Sequence, residues 1–111
     1  MNWTIEFYNE NLQNWLSSLP PGIMAESIRF IELLMIQGYR LRMPHSRSMG
    51  AGLFELRPKG AEGAARIFYC RAVGQRIVLL HGFIKKSEKT PSRELIIAIK
   101  RMREINYGKK Y

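Results

Sequence analysis

The first third of the chain alternates between strand-like and helix-like patterns of apolar residues. Residues 3–7 alternate apolar and polar side chains, which predicts a short half-buried strand. Residues 12–19 have apolar side chains at i, i+3, i+4 and i+7, which predicts a short helix closed by the Pro-Pro-Gly stretch at 20–22. A second helix is predicted over residues 22–37, where a wide apolar stripe runs up to Gly38.

The pattern in the second half of the chain predicts strands. Residues 41–52 follow neither period and contain proline and glycine, so a loop is predicted there. Strands are predicted over residues 53–57, 65–71 and 76–83, and their turn-length links favour an antiparallel meander. The last strand is apolar on both faces over residues 77–80, which suits a central position in the sheet.

A C-terminal helix completes the predicted fold. Thr90 is a suitable N-cap, with Pro91 at the first helical position and Glu94 in the first turn. The apolar side chains predicted to face the core are Leu95, Ala98, Ile99 and Met102, and the basic ones predicted to face away are Arg93, Lys100, Arg101 and Arg103. The order β-α-α-β-β-β-α predicts an α+β fold with helices packed on a mostly antiparallel four-stranded sheet. Residues 1–111 are expected to form a single domain, since this length suits one core and not two.

The positive charge of the chain is concentrated in one part of the sequence. The net charge is +9, but residues 1–39 hold one arginine and four glutamates, whereas residues 40–111 hold 17 basic and five acidic side chains. A basic region of this kind attracts polyanions such as nucleic acid or ribosomal surfaces. A charge that serves only solubility is the alternative.

The composition also indicates in which cellular compartment the protein is expected. No apolar stretch approaches the roughly 18 residues that a membrane span needs, and no secretory signal opens the chain, so no membrane partner is expected. Cys70 is the single cysteine, which excludes an internal disulfide and is compatible with a reducing cytoplasm.

Several classes of active site are disfavoured by the residues present. Aspartate is absent and the nine glutamates form no close pair in the meander, which argues against two-carboxylate hydrolases and carboxylate-held metals. His45 and His81 are too few for a typical zinc centre, and no Gly-rich phosphate loop or serine triad motif is present. The basic side chains on the predicted strands remain as the candidate functional groups.

Strand alternation sorts the candidate side chains into faces. Glu55 and Arg57 share a face of their strand. The sets predicted to share a face on the next two strands are Arg66, Phe68 and Cys70, and then Ile77, Leu79, His81 and Phe83.

The basic residues on these strands predict a phosphate clamp. If Arg57 and Arg66 lie on the same side of neighbouring strands, they flank Lys85 or Lys86 at the end of the last strand. Such a cluster stabilises the extra charge of a phosphorane-like transition state. The alternative is that Arg57 pairs with Glu55 or Glu62 and that the lysines are solvated.

Three motifs resemble a known family. The stretches GLFELR at residues 52–57, ARIFYC at 65–70 and above all IVLLHGFIKKSEKTP at 77–91 resemble the RelE/ParE toxin superfamily, in its HigB-like, phage-associated branch. The resemblance covers nearly the whole chain, and the motifs occur in the order and spacing of the family. The first two helices match in pattern alone.

The resemblance implies a type II toxin that cleaves messenger RNA, usually during translation in the ribosomal A site. It implies attack of the ribose 2′-OH on the adjacent phosphate, which leaves a 2′,3′-cyclic phosphate and a 5′-OH and requires no metal or other cofactor. The implied partners are messenger RNA, the ribosome and a neutralising antitoxin, expected to be a helix-turn-helix protein through which alone the complex binds operator DNA.

The resemblance also implies roles for individual residues. Arg57, Arg66, Lys85 and Lys86 match positions that hold the scissile phosphate or take part in catalysis. Residues expected to contact RNA are His45, Arg47, Lys59, Phe68, His81, Lys89 and Arg93. Among these, His81 is preferred as a structural histidine over a proton shuttle, His45 is a weaker acid or base candidate, and core packing competes with base stacking for Phe68 or Tyr69.

Two choices stay open at the level of sequence. A ParE-like gyrase poison is disfavoured by the basic cluster, whereas a non-catalytic nucleic-acid-binding module on the same fold is not excluded. Lys85 and Lys86 point to opposite faces if the strand persists, so only one faces the arginines. Lys85 is favoured, because it shares the face of His81 and Phe83.

Overall fold

Six strands and three α-helices make up residues 2–107, the part of the chain that this computed structural model describes. In chain order they are β1 Thr4–Phe7, α1 Glu10–Ser17, α2 Pro21–Gln37, a 3-10 turn at Gly38–Arg40, β2 Ser46–Gly50, β3 Leu53–Leu56, β4 Lys59–Gly60, β5 Gly63–Ala72, β6 Arg76–Ile84 and α3 Ser92–Tyr107. The α+β class is confirmed. The prediction of four strands is wrong, because β2 and β4 are additional strands.

The sheet is mixed rather than purely antiparallel. Its strand order is β1-β6-β5-β3-β2, with β4 paired to β5 off this path. The predicted antiparallel meander is present as the β3/β5 and β5/β6 pairs, whereas β1 runs parallel to β6. β6 therefore has a neighbour on both sides, as its apolar sequence indicated.

The segment predicted as a loop contains β2. This strand pairs with β3 from Ser46 opposite Leu56 onward, and the hairpin turns at Ala51 and Gly52, whose φ angles are 53° and 87°. Positive φ at both central positions matches the right-handed twist of a two-residue hairpin. β2 is an edge strand with mostly exposed side chains, so it shows no apolar alternation that sequence reasoning can detect.

Helices cover both faces of the sheet and define two cores. The first core lies under α1 and α2; among its buried members are Leu16, Ile23, Phe30, Leu34, Leu56, Ile67, Tyr69, Ile77 and Leu79. The second lies under α3; it contains Leu53, Phe68, Cys70, Val78, Leu80, Phe83, Ala98 and Met102. The predicted inward side of the last helix is confirmed by Ala98 and Met102.

The start of α3 differs from the prediction. The helix begins at Ser92, so Pro91 precedes it, and the Thr90 hydroxyl donates to Glu55 Oε2 at 3.1 Å. The carboxylate of Glu55 is fully buried and is a stronger acceptor for this hydroxyl than solvent-exposed groups would be. Thr90 thus links the segment after β6 to β3.

β6 contains a β-bulge. Phe68 pairs with His81, whereas the next residue of β5, Tyr69, pairs with Leu79. Leu80 is therefore an extra residue that β5 does not oppose, and a bulge of this kind reverses the alternation of side chains beyond it.

The bulge overturns one predicted face. Ile77 and Leu79 belong to the core under α1 and α2, whereas Phe83 belongs to the core under α3. His81 bonds to Glu94 of α3. The prediction that all four β6 side chains share a face is wrong, because the extra residue shifts the register between Leu79 and His81.

Candidate active site

A buried carboxylate lies at the centre of the basic cluster. Glu55 is fully buried on β3, and its Oε1 accepts a hydrogen bond from Arg57 Nη1 at 3.0 Å. The same oxygen lies 3.7 Å from Arg66 Nε, and Oε2 accepts from Thr90. A buried charge needs such partners, since unpaired burial is costly. Glu55 therefore fixes both arginines relative to each other.

One alternative considered for Arg57 is confirmed and the other is wrong. The guanidinium pairs with Glu55, as one reading of the sequence held. Glu62 accepts instead from the backbone N–H groups of Gly22 at 2.8 Å and Ile23 at 3.1 Å. These are free donors at the start of α2, where Pro20 gives no side-chain cap. Glu62 thus caps α2.

Arg66 is held in an environment that disfavours its charge. Its side chain is only 8% exposed, and Nη1 donates to the carbonyl of Ala65 at 2.9 Å. Burial and then the nearby charge of Arg57 lower the pKa of Arg66, against the opposing effect of Glu55. A bound anion would offset both of these costs, so the site is suited to an anionic ligand.

Arg57 and Arg66 open onto one cavity of about 420 Å³, here called the Arg57/Arg66 cavity. Its lining residues are Arg29, Phe30, Met43, Pro44, His45, Arg57, Lys59, Ala64, Arg66 and Lys85. No carboxylate is among the described residues that line it. The lining is strongly cationic, which is the electrostatic requirement for holding a phosphate.

Lys85 and Lys86 lie in different places. Lys85 lines the Arg57/Arg66 cavity, and its Nζ lies 3.6 Å from the exposed carboxylate of Glu88. Lys86 lines a separate cavity of about 510 Å³. Surface pairs such as Lys85 with Glu88 are weak, so Lys85 is available to a ligand. Lys85 therefore belongs to the basic residues that line this cavity, together with Arg57 and Arg66, whereas Lys86 does not.

His45 joins the same cavity from the segment before β2. Its ring packs edge-on against Phe30 with centroids 4.8 Å apart, and its carbonyl accepts from the backbone N–H of Arg57 at 2.9 Å. The residue therefore positions the arginine backbone as well as lining the cavity.

Residues 14–103 match the family model of phage-derived Gp49-like proteins (DUF891). The chain belongs to this Gp49-like family. The matched residues include every residue that lines the Arg57/Arg66 cavity. The family is phage-derived and toxin-like, in agreement with the general character that the sequence motifs implied. No curated protein shows a significant sequence match to the chain.

Two more predicted RNA contacts of this Gp49-like protein lie close to the cavity. Lys59, on β4, is exposed and lines it. Arg47 is exposed on β2, in register with Glu55, and its charge adds to the lowering of the Arg66 pKa. Both side chains extend the positive surface around the two arginines.

The other predicted contacts lie elsewhere. Phe68 is fully buried, with its ring centroid 6.0 Å from that of Phe83, so base stacking by Phe68 is wrong. His81 Nε2 lies 2.6 Å from Glu94 Oε1, in agreement with a structural histidine. Lys89 and Arg93 are exposed and do not line the Arg57/Arg66 cavity.

Sequence reasoning missed how central Glu55 is. Alternation correctly placed it on the face of Arg57, but the pair was treated as an argument against a site. The signal that would have identified it is a glutamate between Leu53 and Leu56, inside a strand that is otherwise buried. A carboxylate at such a position needs cationic partners of its own.

Residues 2–107 contain neither a metal-binding cluster nor a membrane-spanning helix. No group of three or more His, Cys, Asp or Glu side chains there is arranged to hold a metal ion. None of the described helices has the length and apolar character required to cross a membrane.

Proposed function

We propose that this Gp49-like protein is the toxin of a type II toxin–antitoxin system, of the RelE/HigB-like kind, and that it cleaves messenger RNA without a metal. The observation that carries the proposal is that Arg57, Arg66 and Lys85 line one cavity whose described lining residues include no carboxylate, while a buried glutamate holds the arginines. The toxin-like family supports it.

The proposed reaction uses the nucleophile that RNA carries. The 2′-oxygen forms a bond to the adjacent phosphorus while the bond to the 5′-oxygen breaks, giving a 2′,3′-cyclic phosphate and a 5′-OH end. Arg57 and Arg66 hold the non-bridging oxygens and stabilise the charge that develops on them. Because the arginines are fixed by Glu55, little reorganisation is needed when that charge appears.

Two protons move in this reaction, and two side chains of the cavity can move them. We assign His45 as the base that accepts the proton of the 2′-OH and Lys85 as the acid that protonates the leaving 5′-oxygen. A neutral imidazole is an acceptor and an ammonium is a donor, which suits these two roles. The arginines act through charge alone.

The proposal includes the partners. Messenger RNA on the ribosome is the substrate, in the cytoplasm, and an antitoxin protein with a helix-turn-helix domain neutralises the toxin and links it to operator DNA. The net charge of +9, concentrated after residue 39, favours association with the polyanionic ribosome.

Primer extension on messenger RNA after brief induction in bacteria tests the function. Wild type and Lys100→Gln, an exposed control on α3, should give discrete translation-dependent cuts, whereas Arg57→Gln should give none. The downstream fragments should accept phosphate from polynucleotide kinase without prior dephosphorylation, because they start with 5′-OH. DNA damage without cuts would identify a gyrase poison, and neither effect would identify a non-catalytic binder; both results overturn the proposal.

A further inference from the structure

We propose that a second groove, on the other side of the end of β6, binds single-stranded RNA next to the cleaved phosphate by stacking a base on Trp15. This groove, here called the Trp15 groove, consists of two cavities that share Trp15 and Gly82. Their volumes are about 510 Å³ and 200 Å³. The inference rests on the proposed function, because it names where the substrate strand continues.

The floor of the groove depends on Gly82. A Cβ atom at this position would lie 2.3 Å from Cζ3 of Trp15, so the indole packs directly on the backbone of β6. Trp15 is partly buried, and its ring lines both cavities. An aromatic ring that packs on a strand and lines a cavity is the kind of platform on which bases stack.

Cations lie at both ends of this platform. Lys86 and Arg93 line the larger cavity, and Arg101 lines the smaller one. Arg101 is fixed in place, because its Nη1 donates to the carbonyl of Leu80 at 2.8 Å and its guanidinium lies 4.5 Å above the ring of Tyr8. Phosphates on either side of a stacked base therefore meet positive charge.

The one carboxylate that lines the groove among the described residues is already engaged. Glu94 Oε1 lies 2.6 Å from His81 Nε2, and Oε2 lies 3.6 Å from Arg93 Nε. Three basic side chains around one paired acid leave the groove positive. The combination of an aromatic platform and cations favours single-stranded nucleic acid over an acidic peptide, which would use the charges without needing the ring.

The groove and the proposed active site lie next to each other, because adjacent residues of the chain line them. Lys85 enters the Arg57/Arg66 cavity and Lys86 enters the Trp15 groove, so the two sites are separated by the end of a single strand. An RNA whose scissile phosphate lies at Arg57 and Arg66 can pass Lys85 and place a neighbouring nucleotide on Trp15. Stacking is tolerant of base identity, so the groove would add affinity without a strict sequence requirement.

Fluorescence of Trp15 gives a direct test that does not depend on cleavage. The chain has two tryptophans, and a Trp3→Phe protein leaves Trp15 as the single reporter. Titration with a 2′-O-methyl RNA oligonucleotide, which lacks the nucleophile, should quench the emission to saturation. An abasic oligonucleotide of equal length should bind without quenching. Absence of quenching by the intact oligonucleotide, equal quenching by the abasic one, or quenching by polyglutamate alone would each overturn the inference.

Variants assign the contacts. In the Trp3→Phe background, Lys86→Gln and Arg93→Gln should each weaken oligonucleotide binding several-fold, whereas Lys100→Gln should change it less than either. Equal effects of all three would reduce the groove to general charge and overturn the inference.

A Trp15→Leu chain should bind the oligonucleotide roughly five- to a hundredfold more weakly, as expected for a lost stacked base. Cleavage of messenger RNA without quenching of Trp15 would refute RNA binding in this groove and leave the proposed function intact. Quenching of Trp15 without cleavage would refute the proposed function and leave RNA binding in the groove intact.

Discussion

The buried carboxylate and the buried arginine of the candidate site should respond oppositely to substitution. Glu55 is fully buried and has three partners, namely Arg57, Arg66 and Thr90. A Glu55→Gln chain keeps the size of the side chain and loses the charge that compensates both guanidiniums. Removing one partner of a buried ion pair costs about 3–5 kcal/mol. The lower end applies here, since the amide oxygen can still accept one hydrogen bond and Arg57 is partly exposed.

The expected loss of stability in Glu55→Gln corresponds to a large fall in the melting temperature. At about 4 °C per kcal/mol for a chain of this size, Glu55→Gln should melt roughly 12 °C below wild type. Arg66→Met keeps the buried stem and removes a charge that burial and Arg57 both disfavour, as the lowered pKa of Arg66 indicates. Glu55 then keeps Arg57 and Thr90, so the melting temperature should stay within about 4 °C of wild type or rise.

Calorimetry of the two variants, with Glu26→Gln as a control on an exposed pair, measures this contrast directly. RNA cleavage should be lost in Arg66→Met in spite of its intact fold. Equal melting temperatures for Glu55→Gln and wild type, or an Arg66→Met loss as large as that of Glu55→Gln, would refute the assignment of Glu55 as the residue that holds the site together.

Three further outcomes follow from the geometry. Lys85→Gln should lower the rate of cleavage at saturating RNA by roughly 10²–10⁴-fold, whereas Lys86→Gln should act mainly on KM, because the two lysines line different cavities. Equal losses of the cleavage rate for the two variants in single-turnover assays would contradict this assignment. Gly82→Ala should lower the free energy of unfolding in urea by about 1–3 kcal/mol, because its methyl group would overlap the indole of Trp15. An unchanged urea midpoint would show that the ring moves aside without cost. Burial raises the pKa of the Cys70 thiol to about 11, so a disulfide reagent at pH 8 should label the protein only after denaturation, and fast labelling of the native chain would disprove its burial.

Much of the fold was predictable from periodicity, and the errors have physical causes. Long apolar repeats gave α2 as residues 22–37, against the observed Pro21–Gln37, and the strands of the meander within two residues at each end. The edge strand β2 was missed because exposed side chains carry no alternation, and β4 because it is two residues long. The parallel pairing of β1 with β6 was not predicted, because it depends on contacts between residues far apart in the sequence, such as Thr4 and Arg76.

The residues of the candidate site could be predicted from the sequence, whereas the contacts between them could not. The basic types at Arg57, Arg66 and Lys85 stood out from charge and motif, and they do line one cavity. The role of Glu55 depends on its burial, which a single glutamate in a short strand does not reveal. Trp15 is one of the apolar residues whose spacing predicted the first helix, and it packs on the first core. Its second surface, toward the groove, follows from a tertiary contact with Gly82.

The bulge at Leu80 determines which lysine reaches the arginines. On a regular strand, Lys85 would share the side of Ile77 and Leu79, which face α1 and α2. The extra residue reverses this order, so that Phe83 lies in the core under α3, Gly82 lies under Trp15, and Lys85 lines the cavity of Arg57 and Arg66. Lys85 therefore lines the cavity of the two arginines, while its part in cleavage stays a prediction. The reason for favouring it was a face shared with His81 and Phe83, and those two residues lie on the α3 side because of one inserted residue in the strand.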